Sequence, residues 1–169
     1  MSWPASGRKG RIRVPSIVVP KPETHVAKLD MDLSKMAPLD LKAANLLVFH
    51  HCGSYGTSTV ESINRFHRKE RGWSGIGYHF FIDRRGVIWE GRPLKYRGAH
   101  ASGVNHRSIG VCMDGDLSIQ WPSPEQEKAA FELAVWACVT FGLTIVPHRL
   151  VGLTDCPGAH FMFGLGGPR

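Results

Sequence analysis

The chain has 169 residues, of which 43% are hydrophobic and 21% charged, and its formal net charge is +7 at pH 7. This size and composition are typical of one globular domain with a buried core, and no apolar run approaches the roughly 20 residues of a membrane-spanning helix. The positive charge favours an anionic partner such as nucleic acid, an anionic membrane or a polyanionic cell wall. The sequence lacks the basic stripe interleaved with aromatic residues that would predict a specific nucleic-acid site.

The N-terminal region differs from the rest of the chain in composition. Residues 1–25 are rich in Pro, Gly, Lys and Arg and have no hydrophobic period, so we predict a tail or irregular strap there and one folded domain over residues 26–169. The apolar runs near the start are shorter than the ~7–15 residues of a secretory signal core, so we expect synthesis in the cytoplasm. A short helix is expected near APLDLKAAN, residues 37–45.

Alternating strand and helix signals follow. The run NLLVFHH predicts a strand buried on both faces that ends in His50 and His51. A helix is predicted over residues 58–72, with a capping box formed by Ser58 and Glu61. The sequence YHFFIDRRGVIWEGR predicts a β-hairpin around DRRG, and SIGVCMDG predicts a further apolar strand.

The second predicted helix covers residues 124–142 and has clear signals at both ends. Ser123 is its expected N-cap, Gln126 is expected to complete a capping box, and Gly142 is expected to end it. The sequence LTIVPH then predicts a short extended segment. Strands and helices interleave along the chain, so we predict an α/β fold with a central mixed β-sheet flanked by helices.

A candidate metal site lies at two distant places in the chain. Zinc in proteins binds imidazole and thiolate ligands, and a catalytic site keeps three protein ligands and one open position. His148 and Cys156 flank a loop that could bring both side chains to one point, and His50 or His51 would supply a third ligand from a strand end. A His-to-Cys spacing of eight is not a standard zinc motif, so the residues alone leave open a loop without any joint role.

Four motifs narrow this choice: FHHCGS, GWSGIGYHFFIDRRGVIWEGRP, GAHASGVNHRSIGVCMDGD and PHRLVGLTDCPG. In order and spacing they resemble the type-2 N-acetylmuramoyl-L-alanine amidases, a family that includes amidase-type phage lysozymes and peptidoglycan recognition proteins. The resemblance covers about residues 45–160. It implies an amidase-like α/β domain, one Zn²⁺ per chain, and hydrolysis of the amide between N-acetylmuramic acid and L-alanine of the stem peptide.

The resemblance also implies roles for individual residues. His50, His148 and Cys156 match the zinc ligands, with a one-residue shift to His51 as the alternative for the first. Tyr78 in GYHF matches a tyrosine beside the metal-bound water.

Five further residues receive predicted roles. Thr154 stands where some phage lysozymes have Lys, so it offers a hydrogen bond without a charge at a catalytic position. Substrate contacts are predicted for His51, Trp73, His100 and Asn105. Packing is the alternative for Trp73, and loop-fixing hydrogen bonds are the alternative for His100 and Asn105.

The biological role is predicted on the same basis. A basic, monomeric chain without a separate wall-binding domain fits a phage endolysin that is made in the host cytoplasm and acts on peptidoglycan after release. The alternatives are a cytoplasmic wall-recycling amidase and a non-lytic peptidoglycan-binding module, although such modules usually lack a zinc ligand and Cys156 is present. RNA polymerase binding, known for some phage lysozymes, is left open by the sequence. After CPG the chain is short and glycine-rich where the family commonly continues with a helix.

Overall fold

A six-stranded mixed sheet organises residues 17–161, the part of the chain that the computed structural model describes. The order across the sheet is β1-β4-β3-β5-β2-β6, and all neighbours pair in parallel except β3 with β4. The predicted α/β fold is confirmed, whereas the predictions for residues 1–16 and for the glycine-rich end after residue 161 lie outside the described residues. The strands are β1 (His25–Val26), β2 (Leu46–His51), β3 (Phe80–Ile82), β4 (Ile88–Glu90), β5 (Ser108–Met113) and β6 (Thr144–Pro147).

Two helices cover the two faces of this sheet: α1 (Val60–Lys69) and α2 (Pro124–Phe141). The larger apolar cluster joins α2 to one face and includes Phe49, Phe80 and Leu133. A smaller cluster joins α1 to the opposite face and includes Ile63 and Phe81. Consecutive residues of β2 are buried on alternate faces, as predicted for a strand covered on both sides.

The N-cap of helix α1 lies one residue later than expected. Its N-cap is Thr59, whose side chain accepts from the Ser62 amide while the Ser62 side chain accepts from the Thr59 amide. The predicted Ser58–Glu61 capping box is therefore wrong. The Ser58 amide instead donates to Asp114 Oδ1 at 2.9 Å, so a tertiary contact takes the group that would have started the helix.

Helix α2 confirms the two end signals but not the capping box. Ser123 is the N-cap and Gly142 ends the helix with a φ of 69°, in the left-handed region that favours glycine. The Gln126 side chain does not return to the N-cap. It is fully buried and donates to the carbonyls of Ile82 and Asp114, both at 3.0 Å, so it fastens α2 to the ends of β3 and β5.

Residues 41–43 form a turn, and the short helix predicted near residues 37–45 is wrong. Asp40 accepts from the amides of Ala43 and Ala44 through its carbonyl, and from the Lys42 amide through its side chain. These bonds close a single turn, which is not continued because the Asn45 amide donates to the Arg107 carbonyl at 2.9 Å directly before β2. The Leu39 amide also donates to the Lys95 carbonyl at 2.9 Å, which holds the segment in an extended path.

The described part of the N-terminal region runs along the outer edge of the sheet. His25 and Val26 form β1 beside Trp89 and Glu90 of β4. Thr24 Oγ1 donates to Glu90 Oε1 at 2.8 Å, and Lys21 forms an ion pair with the same carboxylate. Over residues 17–161, neither helix combines the length and the apolarity needed to cross a membrane.

Candidate metal centre and surrounding groove

The three predicted ligands meet at the carboxyl ends of β2 and β6. These strands pair in parallel with Phe49 opposite Pro147, which brings His50 beside His148. Cys156 returns to the same point after the loop. The candidate ligand atoms of His50, His148 and Cys156 all lie within 4.8 Å of one another, so residues 106 positions apart in the chain form one cluster.

The loop between His148 and Cys156 is held by its own backbone. It begins with a 3-10 turn, His148–Leu150, and the Arg149 amide donates to the Cys156 carbonyl at 2.8 Å. A Cβ at Gly152 would lie 2.9 Å from His148 Nε2, so only glycine leaves space for this ring. The Cys156 amide donates to Thr154 Oγ1 at 3.1 Å, which places the exposed Thr154 next to the cluster.

The cluster suits a tetrahedral zinc ion in both geometry and chemistry. His50 Nδ1 lies 3.8 Å from Cys156 Sγ, close to the about 3.6 Å expected between nitrogen and sulfur on one tetrahedral zinc. Burial lowers the pKa of His50 well below its usual value and also lowers the pKa of His148, so both imidazoles are neutral and able to bind a metal. Burial raises the pKa of the Cys156 thiol to about 11, so its thiolate needs a neighbouring cation.

His51 lies outside this cluster because it points to the other face of the sheet. Its Nδ1 accepts from the Leu117 amide at 3.0 Å. The ring is mostly buried, and burial lowers its pKa. Among the described residues, the three-residue cluster contains His50 and not His51. The geometry therefore favours His50 over His51 as the first candidate ligand.

A row of aromatic rings leads from the surface to the cluster. Trp73 is 37% exposed and stacks on His67 with ring centroids 4.6 Å apart. The next ring is Tyr78, whose centroid lies 5.6 Å from His67 and 5.1 Å from His50. Burial raises the pKa of Tyr78 well above its usual value, so its hydroxyl keeps its proton.

His67 is a residue that the sequence analysis did not single out as functional. It is buried on the inner side of α1 with Val60 and Ile63, whereas the neighbouring Phe66 is 46% exposed. His67 Nδ1 accepts from the Gly77 amide at 3.2 Å. Burial lowers its pKa to about 4. The loop after α1 brings Trp73 onto the His67 ring, and helical spacing does not predict a contact made by a loop.

His100 and Asn105 belong to one loop beside the cluster. Asn105 Oδ1 accepts from the amides of His100 and Ala101, both at 3.0 Å. The His100 ring nitrogens face His50 Nε2 at 3.0 Å and Ser108 Oγ at 3.4 Å. Asn105 also borders a cavity of about 330 Å³ whose lining includes Lys35, Met36, Ala37, Arg92, Arg97 and His106.

Two neighbouring side chains have structural contacts. His79 is buried, with its ring nitrogens 3.0 Å from the Tyr96 carbonyl oxygen and 2.9 Å from the Gly110 amide nitrogen. Cys52 Sγ accepts from the Gly115 amide at 3.1 Å and lies 3.4 Å from Asp114 Oδ1. Neither side chain joins the three-residue cluster.

Comparison with known proteins agrees with this architecture. Residues 40–159 match the N-acetylmuramoyl-L-alanine amidase family, and the chain belongs to that family. It is 34% identical to the endolysin of Escherichia phage T7 over 119 residues, 65% of this chain and 78% of that protein. It is 32% identical to peptidoglycan-recognition protein SC1a of Drosophila melanogaster over 124 residues, 68% of this chain and 67% of that protein.

A solved structure extends the similarity to the fold. The endolysin N-acetylmuramoyl-L-alanine amidase LysCS from Clostridium intestinale superposes with a TM-score of 0.77 at 33% identity, covering 86% of this chain and 93% of that chain. The predicted family is therefore confirmed.

Proposed function

We propose that this protein is a zinc-dependent amidase that cleaves the bond between N-acetylmuramic acid and the L-alanine of the peptidoglycan stem peptide. The observation that carries the proposal is the meeting of His50, His148 and Cys156, whose ligand atoms lie within 4.8 Å of one another. Two imidazoles and one thiolate match the soft and borderline donors that zinc prefers. Membership in the amidase family supports the substrate class.

The chain's own residues supply the ligands and the polar surroundings of the reaction. When bound at such a site, zinc lowers the pKa of water and polarises a carbonyl group. Tyr78 keeps its proton and would donate a hydrogen bond to the oxygen that gains negative charge in the transition state. Thr154 would contribute a second, uncharged donor, because its oxygen already accepts from the Cys156 amide and its own proton is left to donate.

We also propose substrate contacts for the four residues singled out in the sequence. Trp73 offers a partly exposed ring at the outer end of the aromatic row, where a sugar or peptide could pack. His51, His100 and Asn105 keep their predicted substrate contacts as proposals, although the described hydrogen bonds of Asn105 favour the loop-fixing alternative. The net charge of +7 would add attraction to an anionic envelope surface.

The metal assignment is tested by zinc content. Purified protein should hold about one zinc per chain, the number expected for a three-ligand catalytic site. His50→Ala should lose zinc, whereas the matched His51→Ala, one residue along the same strand, should retain it. If the two variants exchange these results, the ligand assignment is off by one residue.

The bond that is cut is tested on purified sacculi. Digestion should create new L-alanine amino termini and no new reducing sugar ends. New reducing ends without new amino termini would indicate a glycan-cleaving enzyme and overturn the proposed reaction. Binding to sacculi without either product would favour the non-lytic binding module.

We also propose a lytic role of the endolysin type, supported by the similarity to the phage T7 and Clostridium endolysins. Expression confined to the bacterial cytoplasm should leave cells intact, because the substrate lies across the membrane. Directed export of the same chain should lyse them. Intact cells after export of active protein would favour wall recycling instead.

A further inference from the structure

A chain of hydrogen bonds runs from His50 away from the metal cluster into the protein. His50 Nε2 lies 3.0 Å from His100 Nδ1, and His100 Nε2 lies 3.4 Å from Ser108 Oγ. Ser108 Oγ in turn lies 2.8 Å from the Val104 carbonyl oxygen, to which it donates. Three side chains therefore connect the candidate metal cluster to one backbone carbonyl.

The Val104 carbonyl, at the end of this series of hydrogen bonds, determines which nitrogen of each histidine carries the proton. A backbone carbonyl can only accept, so the Ser108 hydroxyl donates its hydrogen bond to the Val104 carbonyl oxygen. Its oxygen is then left to accept, and His100 must carry its proton on Nε2. A neutral His100 presents a lone pair on Nδ1, so His50 must carry its proton on Nε2.

The consequence appears on the other side of the His50 ring. With its proton on Nε2, a neutral His50 has a lone pair on Nδ1, the atom that lies 3.8 Å from Cys156 Sγ. A metal ligand must present a lone pair to the ion, and the hydrogen bond made by the other ring nitrogen selects the tautomer. The direction of the chain is therefore the one that a metal at this cluster requires.

The backbone around His100 is shaped to hold its ring in place. A Cβ at Gly110 would lie 2.5 Å from His100 Cγ, and a Cβ at Gly98 would overlap the same ring. Any other residue at either position would displace this ring. The His100 amide is also fixed, because it donates to Asn105 Oδ1 at 3.0 Å.

From these contacts we infer that His100 is a positioning residue, which with Ser108 sets the tautomer and orientation of His50 for metal binding. This inference rests on the proposed zinc site, but the proton positions can be measured without any metal. His100 acts here through its contact with His50, whether or not its loop also touches substrate.

The direct test is nitrogen NMR of the imidazoles in wild-type protein without zinc at neutral pH. Both His50 and His100 should carry their proton on Nε2. A proton on His100 Nδ1 would overturn the inference whatever the zinc content. If the wild type has the expected tautomers but fails to bind zinc, the proposed metal site fails while the tautomer assignment stands.

Zinc titration of variants separates positioning from packing. His100→Leu removes the acceptor and should weaken zinc affinity about 10- to 100-fold, the usual effect of losing a partner of a metal-bound histidine. His100→Asn places an amide oxygen near the former Nδ1 and should recover most of that affinity. Unchanged affinity in His100→Leu, or equal loss in both variants, would contradict the inference.

His79→Leu provides the matched control. His79 is also a buried histidine, and its ring lies beside His100 with centroids 5.8 Å apart, but its nitrogens face Tyr96 and Gly110. This variant should lower the melting temperature without weakening zinc binding. A loss of zinc affinity equal to that of His100→Leu would mean that packing, and not the hydrogen-bond chain, supports the cluster.

Discussion

The two faces of the sheet use the same strands for different purposes. On the α2 face, β2 contributes Leu47 and Phe49 to the large apolar cluster, where both are completely buried. On the opposite face the next residue of the strand is His50, which is surrounded by Tyr78, His100 and His148. The α2 face is apolar at this end of β2, whereas the opposite face places titratable side chains there beside apolar residues such as Val48 and Phe81. The part of that face around His50 is called the polar face below.

This difference follows from the alternation of side chains along a strand. The apolar α2 face can stabilise the fold without constraining the chemistry opposite it. The polar face loses solvation on burial, and burial is the leading cause of the lowered pKa values of His50, His67 and His100. We therefore expect substitutions on the two faces to alter different properties.

The largest expected effect is on the polar face, at Cys156. Cys156→Ser should lose most bound zinc and all measurable amidase activity, because the hydroxyl of serine does not ionise near neutral pH and binds zinc poorly. The metal-free variant should unfold at the temperature of metal-free wild type, since the side chains are similar in size. Zinc content, sacculus digestion and thermal unfolding measure the three properties, and an active Cys156→Ser protein would remove the metal assignment.

The corresponding change on the α2 face is Leu133→Ala. Leu133 is completely buried in the large cluster, so the variant should lose about 2–5 kcal/mol of unfolding free energy. Zinc affinity of the folded protein should not change. Val139→Ala on the same helix is the control, because Val139 is 48% exposed and should cost less than about 0.5 kcal/mol. Loss of zinc affinity in Leu133→Ala would show that the two faces are coupled.

A subtler change on the polar face is Tyr78→Phe. It keeps the ring and removes one hydroxyl that we expect to bond only to the transition state. The rate constant kcat should fall about 10²–10³-fold, the usual cost of one such donor, with zinc content unchanged. Tyr55→Phe, at a tyrosine that is 90% exposed, should leave kcat unaltered. A near-normal kcat in Tyr78→Phe would contradict this role and indicate Thr154 as the hydrogen-bond donor.

The smallest expected effect is a pH dependence at Asp114. Its Oδ2 has no hydrogen-bond partner within the described residues, and burial raises its pKa to about 6. A raised acid pKa stabilises the fold while the group is protonated, and that contribution is lost as the pH rises from the unfolded pKa of about 3.9 through the folded value.

Asp114→Asn stays neutral throughout this range. Its melting temperature relative to wild type should therefore rise by about 2–4 °C between pH 4 and pH 7, equivalent to about 1 kcal/mol for a chain of this length. Asp116→Asn should change in the opposite direction, since hydrogen bonds from Ser118 lower the pKa of Asp116. A drop in the relative melting temperature of Asp114→Asn at pH 7 would mean that the ionised carboxylate is stabilising.

Local sequence signals predicted the elements that depend on neighbouring residues. The apolar run before His50, the N-cap at Ser123 and the glycine end at Gly142 all agree with the structure. Spacing of motifs was enough to place the chain in its family. In each case the physical cause acts within a few residues, through side-chain alternation, capping or backbone conformation.

Tertiary contacts decided the features that local signals predicted incorrectly or not at all. The Ser58 amide donates to Asp114, and the Gln126 side chain donates to the Ile82 carbonyl. Neither group is then available for the capping box that the sequence predicted. The hydrogen-bond chain through His100 and Ser108 has no sequence signature. Partners far apart in the chain compete for the same donors and acceptors, and only the packing of the folded sheet settles which partner is bound. The family motifs in the sequence singled out His50, His148 and Cys156 as candidate ligands, and the pairing of β2 with β6 and the loop after β6 brought them to one point.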